Sequence, residues 1–436
     1  MGKLHDRLAE QAPALREKIR SVVAEHGKAV ISEVTVSQAF GGMRGVRGLV
    51  CDTSVVGPDK GLIVRGIPIG DLKKRLPEEI FYLLCTGELP DAKALASVQQ
   101  ELRQRAQVPS YVWDVLRALP GDTHPMAMFS TAILSMERES VFRKSYSEGM
   151  QKADYWESAL EDALRLLGVL PGIAAGIYRI HTCKGGPLPP NPTLDWGADY
   201  AAMLGLPDPT GGFRDLMRLF LTLHCDHEGG NVSAFTCHTV GSALSDPFYA
   251  VSAGMNGLAG PLHGLANQEC LHFVLGIRKK YNGVPTDDQL RDYVWETLNG
   301  GRVIPGYGHA VLRVTDPRFT ALHEFGDRVC PDDVMFKIVD RLFHITPQVL
   351  KEQGKVKDPW PNVDAVSGSL LYLFGLTEFE HYTVLFGVSR ALGMCSQLVL
   401  NRLLGTPITR PKSVSTEWLI KAASGARVPA AQGGSK

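Results

Sequence analysis

The sequence predicts a mainly helical protein. Apolar residues recur at helical spacing through most of the 436 residues, and most of these segments end near glycine or proline. Alternating strand patterns are scarce outside residues 30–64. With 44% hydrophobic and 21% charged residues, the chain can bury a large core, which is typical of a soluble globular protein.

The N-terminal region begins with a predicted surface helix at residues 4–25, where apolar positions at helical spacing lie among mixed charges. A β-branched segment follows and is interrupted by GGMRGVRG at 41–48. Arg44 and Arg47 alternate there with glycines, which is compatible with a flexible cationic arm for a phosphate. A glycine turn with two solvated arginines is the simpler interpretation.

The middle and C-terminal regions repeat the helical pattern. Several helices are predicted between residues 76 and 170, and a loop rich in Gly, Pro and Asn at 182–194. Later helices are predicted at 287–298, 317–329, 332–343, 347–353 and up to Leu404. Residues 426–436 are of low complexity and are predicted to be disordered.

Composition excludes several classes of function. Forty-six basic residues balance forty-six acidic ones, so no global field would hold nucleic acid or an anionic membrane. The most apolar segment, residues 384–400, is interrupted by polar side chains and predicts a buried helix rather than a membrane span. Eight scattered cysteines without a CxxC pair favour a reducing compartment.

Residues 224–269 are unusually rich in glycine and histidine, which makes a metal site one alternative. His224 and His227 are three residues apart, and Glu228 follows. A zinc protease motif would need histidine where Asn231 stands. No compact Cys/His set has ligand spacing, so no metal is expected. No Gly-x-Ser-x-Gly elbow is present either, and the apolar surroundings of the cysteines do not favour a nucleophile.

Acid–base chemistry fits the remaining polar residues better. His263 in GPLHGLAN and His309 in PGYGHAVLR lie in glycine-rich turns, where a neutral imidazole could donate a hydrogen bond to a developing oxyanion. Asp364 is a lone carboxylate in an uncharged loop, as a general base would be. Taken alone, a residue of each of these kinds is more often structural, as a hydrogen-bonded histidine or a turn aspartate, and local sequence does not show that the three meet.

Arginines give a further indication. Arg390 lies inside an apolar helix and must either pair with a protein carboxylate or bind an anion. Arg318 follows Asp-Pro, and Arg410 precedes Pro411. Guanidinium groups bind carboxylates in bidentate geometry, so several converging arginines would suit a di- or tricarboxylate.

A series of longer motifs together resembles one enzyme family. The motifs are, in chain order, CDHEGGN (225–231), NGLAGPLHGLANQE (256–269), RVIPGYGHAVLR (302–313), PWPNVDAVSG (359–368), LFGVSRALG (385–393) and RPKS (410–413). They resemble citrate synthase of the mitochondrial, Si-specific type, and the resemblance extends from GGMRG to RPKS. An array of this length and order is highly specific.

The resemblance implies an all-α fold with a large domain, a smaller inserted helical domain and a cleft between them. The implied boundaries are 1–264 and 376–436 for the large domain and 265–375 for the small domain on the coenzyme A side. Two subunits would pair as a homodimer, and closure of the small domain would exclude water from the site. The substrates would be acetyl-CoA and oxaloacetate, with no cofactor, metal, nucleic acid or membrane partner.

The resemblance also implies roles for individual residues. Asp364 would remove a methyl proton from acetyl-CoA, His263 would stabilise the enol(ate), and His309 would polarise the oxaloacetate carbonyl. The substrate carboxylates would be held by His227, Arg318, Arg390 and, from the partner subunit, Arg410. Coenzyme A would be bound by Arg44 of the neighbouring subunit, Lys152, Pro305, Gly306, Tyr307, Gly308, Arg313 and Asn362.

One departure concerns a coenzyme A phosphate contact. Lys152 stands where the mitochondrial pattern has an arginine, which keeps the charge but loses the bidentate fork. The reaction expected is condensation to citryl-CoA and its hydrolysis to citrate and CoA. The alternative is 2-methylcitrate synthase, which would use propionyl-CoA with the same catalytic residues. A poor match to transit peptides favours a bacterial cytoplasmic protein, with a processed mitochondrial matrix form as the alternative.

Overall fold

The computed structural model describes residues 2–309 and 311–424. It is 62% helix and 3% strand, which confirms the predicted all-α class. The predicted disordered tail at 426–436 lies outside the described residues.

Nineteen α-helices are present in the described ranges. The first twelve are α1 Lys3–His26, α2 Val36–Phe40, α3 Pro77–Thr86, α4 Ala92–Gln104, α5 Ser110–Arg117, α6 Pro125–Ser135, α7 Val141–Ser147, α8 Tyr155–His181, α9 Trp196–Leu204, α10 Gly212–Leu223, α11 Val232–Ser242 and α12 Pro247–Leu258. The remainder are α13 Ala266–Tyr281, α14 Asp287–Asn299, α15 Pro317–Val329, α16 Val334–Gln353, α17 Asp364–Leu373, α18 His381–Leu404 and α19 Thr416–Ala423. Short 3-10 helices lie at Ile69–Leu72, Glu137–Glu139 and Lys152–Asp154.

The core is built around the pair α8 and α18, which pack along each other and are apolar on nearly every face. By length and composition, the stretches Lys152–His181 and His381–Leu404 could each cross a membrane. The most apolar windows of these stretches are 83% and 89% buried inside the protein. An all-round apolar helix of this kind is also what the centre of a large helical core requires.

A small antiparallel sheet follows the N-terminal arm. It consists of β1 Ser54–Gly57, β2 Gly61–Val64 and β3 Ile67–Pro68, in that order. Strands β1 and β2 form a hairpin in which Val56 pairs with Leu62. This hairpin contacts two loops described below, the loop at 225–231 and, through the Pro58 carbonyl in its turn, the loop at 302–313.

Helices α13 to α17 pack mainly against one another, with α13 against α16 and α17 and α14 against α16. Fewer contacts join them to the rest, chiefly through α15, which touches α10 and the 3-10 helix at Ile69–Leu72. This packing agrees with a separate small unit. The boundaries at 264/265 and 375/376 remain a prediction.

Two prolines do not end helices as the sequence suggested. The separate helices predicted at 332–343 and 347–353 are one helix, α16, with Pro347 inside it. Helix α8 likewise continues through Pro171 to His181. Both prolines are buried, and tertiary packing of long apolar faces outweighs the local cost of a missing N–H donor.

Candidate active site

The loop CDHEGGN joins α10 to α11 and is held on the β-hairpin. The buried carboxylate of Asp226 accepts hydrogen bonds from the hydroxyls of Thr53 at 2.6 Å and Ser54 at 2.9 Å. The side-chain amide of Gln397 donates to its other oxygen at 2.9 Å. Because strand β1 and helix α18 supply these donors, residue 226 is fixed to two separate elements of the core.

Glu228 provides the second anchor of the same loop. Its backbone is left-handed, with φ +60°. The backbone N–H of Val56 donates to the Glu228 carboxylate at 2.6 Å, and the N–H of Glu228 donates to the Ser54 hydroxyl at 2.8 Å. His227 therefore lies between two anchored residues, and burial together with Arg318 and Arg390 holds its pKa well below the ordinary value.

His263 lies in the turn between α12 and α13. The backbone N–H of Ser233 points at its Nε2 at 3.3 Å, and the Ser233 hydroxyl is 3.0 Å from the same nitrogen. A backbone N–H can only donate, so the neutral ring carries its proton on Nδ1. Burial and then Arg390 lower the pKa of His263 to about 4, which keeps the ring neutral at physiological pH.

His309 has the complementary tautomer. Its Nδ1 accepts the backbone N–H groups of Val311 and Leu312, both at 3.0 Å, so the proton is on Nε2. Burial and then Arg318 lower its pKa. The ring centroid lies 6.1 Å from that of His227, which brings the motifs at 225–231 and 302–313 together.

Asp364 is the first residue of α17, in a segment joined to the His309 loop by backbone hydrogen bonds. Asn362 donates from its N–H to the Gly306 carbonyl at 2.8 Å and from its side chain to the Gly308 carbonyl at 3.1 Å. Its side-chain oxygen accepts the N–H of Asp364 at 3.0 Å. Burial raises the pKa of Asp364 to about 6, although Arg318 opposes the rise.

Gly306 is required where these two segments meet. Its φ is +79°, and a Cβ there would lie 2.7 Å from the Cα of Ala365. Such a contact is too short for any side chain, so only glycine permits the loop at 305–309 to lie directly on the start of α17.

The two buried arginines differ in their partners. Arg318 binds the Asp316 carboxylate through Nε and Nη2, the latter at 2.7 Å. Arg390 is 1% exposed and donates only to the His224 carbonyl and to the Asn231 side-chain oxygen, both at 3.2 Å. Within the described ranges it has no carboxylate within ion-pair distance.

Burial lowers the pKa of Arg390 to about 10, so it remains cationic at neutral pH. Its guanidinium lies 4.8 Å from the centroid of the Phe386 ring, which also borders His263 at 6.2 Å. The sequence left open a buried ion pair between Arg390 and a protein carboxylate. The described part of the chain contains no such pair. A buried cation with unused donors favours an anionic ligand.

Four of the predicted coenzyme A and partner residues lie at the surface, whereas Pro305 and Tyr307 are partly buried. The side chains of Arg44, Lys152, Arg313 and Arg410 are exposed. Arg313 is near His309, where it contributes to that residue's lowered pKa. No hydrogen bond or ion pair in the described parts of one chain joins Arg44, Lys152 or Arg410 to the buried cluster.

Sequence reasoning missed the residues that orient this cluster: Asp226, Asn231, Ser233 and Asp316. Asn231 caps α11 and accepts from the Ser233 hydroxyl at 2.7 Å, from the Ala234 N–H and from Arg390. An asparagine directly before an apolar helix is a recognisable N-cap signal. Nothing local indicates that the same oxygen would also orient an arginine 159 residues away.

The metal alternative finds no geometric support. His224 is buried and stacks on the Phe220 ring, and its Nδ1 is 2.9 Å from the Phe220 carbonyl, so that nitrogen is already occupied. Nowhere in residues 2–309 or 311–424 do three His, Cys, Asp or Glu side chains form a group that could hold a metal ion.

Taken together, the cluster offers a carboxylate with a raised pKa, two neutral imidazoles with opposite tautomers and two buried cations. Such a set can remove a proton from a weak carbon acid, donate hydrogen bonds to developing oxyanions and bind carboxylates.

Comparison with known proteins gives a consistent result. Residues 42–412 match the family model described as "Citrate synthase, C-terminal domain". The chain is 48% identical to mitochondrial citrate synthase of Daucus carota, over 95% of this chain and 90% of that protein. It is 49% identical to mitochondrial citrate synthase of Xiphias gladius, over 96% of this chain and 91% of that protein.

Solved structures agree with the fold. Citrate synthase from Pyrobaculum aerophilum superposes with a TM-score of 0.77 at 28% identity, covering 89% of this chain and 95% of that one. Citrate synthase from Thermoplasma acidophilum, solved as a ternary complex with carboxymethyl coenzyme A and oxaloacetate, superposes with a TM-score of 0.73 at 22% identity, covering 88% of this chain and 96% of that one.

Proposed function

We propose that the buried cluster around His227 carries out the reaction of the citrate synthase family, to which this chain belongs. That reaction condenses acetyl-CoA with oxaloacetate to give citrate and CoA. The observation that supports this site best is the protonation state of two histidines, His263 and His309. Each ring is neutral, and each has one nitrogen occupied by a backbone N–H, so the other nitrogen must donate.

Asp364 acts as the base in this proposal. It takes a proton from the methyl group of acetyl-CoA, and the Nδ1–H of His263 donates to the thioester oxygen as the enol(ate) forms. A carbon acid this weak needs a base and an oxyanion donor acting together. A pKa of about 6 keeps Asp364 ionised near neutral pH while making it a stronger base than an ordinary aspartate.

The oxaloacetate side of the site supplies the electrophile. His309 donates from Nε2 to the ketone oxygen, while His227, Arg318 and Arg390 bind the carboxylates. The new bond joins the methyl carbon of acetyl-CoA to the ketone carbon, and the ketone oxygen becomes the hydroxyl of citryl-CoA. Water then cleaves the thioester to citrate and free CoA.

Homodimer formation is the second part of the proposal. Large apolar side chains are exposed in three regions: the arm at residues 30–55, helices α11 and α12, and residues 408–420. Phe40 is 69% and Ile420 64% exposed, which favours burial against a second copy of the chain. In that dimer Arg44 and Arg410, exposed in one chain, would each complete the partner's site.

The small domain, proposed as residues 265–375, would close over acetyl-CoA. Lys152, Arg313, Asn362 and the backbone at 305–309 would bind the coenzyme. Next to His263, the side chain of Leu262 is fully exposed, as expected of a segment that is covered only on closure. We propose the bacterial cytoplasm as the location, and the relatives named above favour the mitochondrial matrix as the alternative.

The substrate assignment is tested by measuring thiol release with oxaloacetate and either acetyl-CoA or propionyl-CoA. We expect the higher kcat/KM with acetyl-CoA, and no loss of activity on treatment with a chelator. A strong preference for propionyl-CoA would instead indicate 2-methylcitrate synthase, which none of the comparisons supports.

A further inference from the structure

A second concave site lies where helices α13–α17 meet the rest of the protein, and none of the residues of the buried cluster lines it. It is a groove of about 340 Å³ between the loop at 73–76, helix α10 and helix α15. Five cationic side chains line it: Lys73, Lys74, Arg75, Arg218 and Arg328. Only two carboxylates, Asp215 and Glu324, line it with them.

The excess of positive charge is local. The whole chain has 46 basic and 46 acidic residues, whereas the groove lining has five cations and two anions, a difference of three. A concave surface lined by one sign of charge concentrates ions of the opposite sign.

Three of the five cations already have partners. Lys73 forms an ion pair with Glu324 across the groove, and Arg75 binds Glu79 at 3.0 Å. Arg218 binds Asp195 at 2.7 Å and Asp215 at 2.6 Å. These pairs fix the walls of the groove.

Lys74 and Arg328 are different. Both are exposed, and among the described residues neither has a carboxylate within ion-pair distance. The Arg328 guanidinium lies 5.5 Å from the centroid of the Phe325 ring, which places it along the groove wall. Lys74 belongs to the loop before α3 and Arg328 to α15, so the two cations without partners approach the groove from different elements.

We propose that this groove binds a compact polyanion, with phosphate or carboxylate oxygens, held by Lys74 and Arg328. The apolar side chains of Leu219 and Phe325 line it beside the cations. A fork of guanidinium donors and a point charge together suit an anion with at least two negative charges.

The position of the groove allows a bound polyanion to affect the active site through helices α10 and α15. Helix α10 lines the groove and leads into the loop that carries His227, and helix α15 begins at Pro317, next to Arg318. Arg318 and Arg328 are ten residues apart, or about 15 Å along a helix. An anion that draws α15 and the 73–76 loop together therefore shifts Arg318 relative to His227, so that oxaloacetate affinity changes. This coupling rests on the proposed function, whereas binding of the anion does not.

Binding is measured by titration calorimetry with inorganic pyrophosphate at constant ionic strength, with free CoA present to occupy the coenzyme site. We expect one pyrophosphate per chain, and affinity at least about tenfold weaker in the Lys74→Ala/Arg328→Ala double variant, because hydrogen bonds to charged groups are lost. The control is Lys93→Ala/Lys279→Ala, which removes two exposed lysines that do not line the groove.

The proposal is overturned if the wild type does not bind, or if the double variant binds as well as the wild type. Lys74→Glu serves as a second variant, because it leaves the contact of Arg328 with Phe325 intact and should also weaken binding. Tricarballylate, titrated in parallel, distinguishes a polycarboxylate from a phosphate as the preferred anion.

Coupling has a separate readout. At saturating acetyl-CoA, pyrophosphate should change the KM for oxaloacetate at least twofold in the wild type and leave it unchanged in the double variant. Equal effects in both proteins would contradict the coupling, while a failed active-site assignment would leave the calorimetric result unaffected.

Discussion

The groups proposed to hold oxaloacetate lie on buried elements fixed by side-chain hydrogen bonds, whereas several of those proposed to hold coenzyme A are exposed. His227 follows Asp226 and precedes Glu228, each hydrogen-bonded to the hairpin, and Arg390 is oriented by Asn231. Within residues 2–309 and 311–424 of one chain, the side chains of Arg44 and Lys152 have no such support. The first part is pre-organised, whereas the second, in the proposed dimer, would depend on a partner chain and on domain closure.

This difference has an energetic meaning. When a buried side chain that binds the ligand is removed, water does not restore the lost hydrogen bonds, so ligand binding is strongly weakened. An exposed cation contributes a screened interaction that neighbouring charges partly replace. Substitutions in the buried part should therefore have large effects, and those in the exposed part small ones.

The largest effect is expected for Asp364→Ala. Without the base, kcat should fall by about 10²- to 10⁴-fold, the usual contribution of general base catalysis. Oxaloacetate binding, measured by calorimetry, should be nearly unchanged because Arg390 and His227 remain. Asp327→Ala, which removes an exposed carboxylate of α15, is the matched control. Normal turnover by Asp364→Ala would rule out this base.

Arg390→Lys should come next. Lysine keeps the charge in the buried site but loses the planar fork, and the KM for oxaloacetate should rise on the order of 100-fold. The KM for acetyl-CoA should change much less. Arg402→Lys is the control, since Arg402 is a buried arginine of the same helix that binds the Gly241 and Ser245 carbonyls. An equal rise in both variants would mean that the effect is one of folding.

A smaller effect concerns pH. Burial raises the pKa of Asp364 to about 6, so the active, ionised form is lost as the pH falls through 6. At pH 5 kcat/KM for acetyl-CoA, which reports groups of the free enzyme, should be about tenfold lower than its plateau, as expected for one group with that pKa. The pKa of His263, lowered to about 4, places its protonation below this range. A pH–rate profile with its acid limb near pH 4 would contradict the assignment.

Most helices could be predicted from apolar spacing and from Gly and Pro boundaries, and helices α1, α14 and α15 are observed close to their predicted ends. Pro171 and Pro347 wrongly indicated helix ends. Long-range packing keeps their helices continuous, and local sequence patterns do not contain that information. The site residues His263, His309 and Asp364 were identified through whole motifs, since each alone resembled a structural residue.

The sequence predicted which residues belong to the site better than it predicted their protonation states and partners. The proton position on His263 depends on Ser233, thirty residues away. Packing in the core decides that Arg390 has no ion-paired carboxylate among the residues that the structure describes. Such contacts between distant segments decide pKa values and tautomers. They become visible only when the chain is folded.

The smallest expected effect tests the exposed part directly. Lys152 lies at the start of the short helix before α8 and stands where related enzymes are expected to have arginine. In Lys152→Arg the bidentate fork is restored on a phosphate of coenzyme A, and the KM for acetyl-CoA should fall about two- to threefold with kcat unchanged. Lys144→Arg, an exposed position on α7, is the control. If Lys152→Arg changed the KM for oxaloacetate as strongly as Arg390→Lys does, the division into a buried and an exposed part of the site would be wrong.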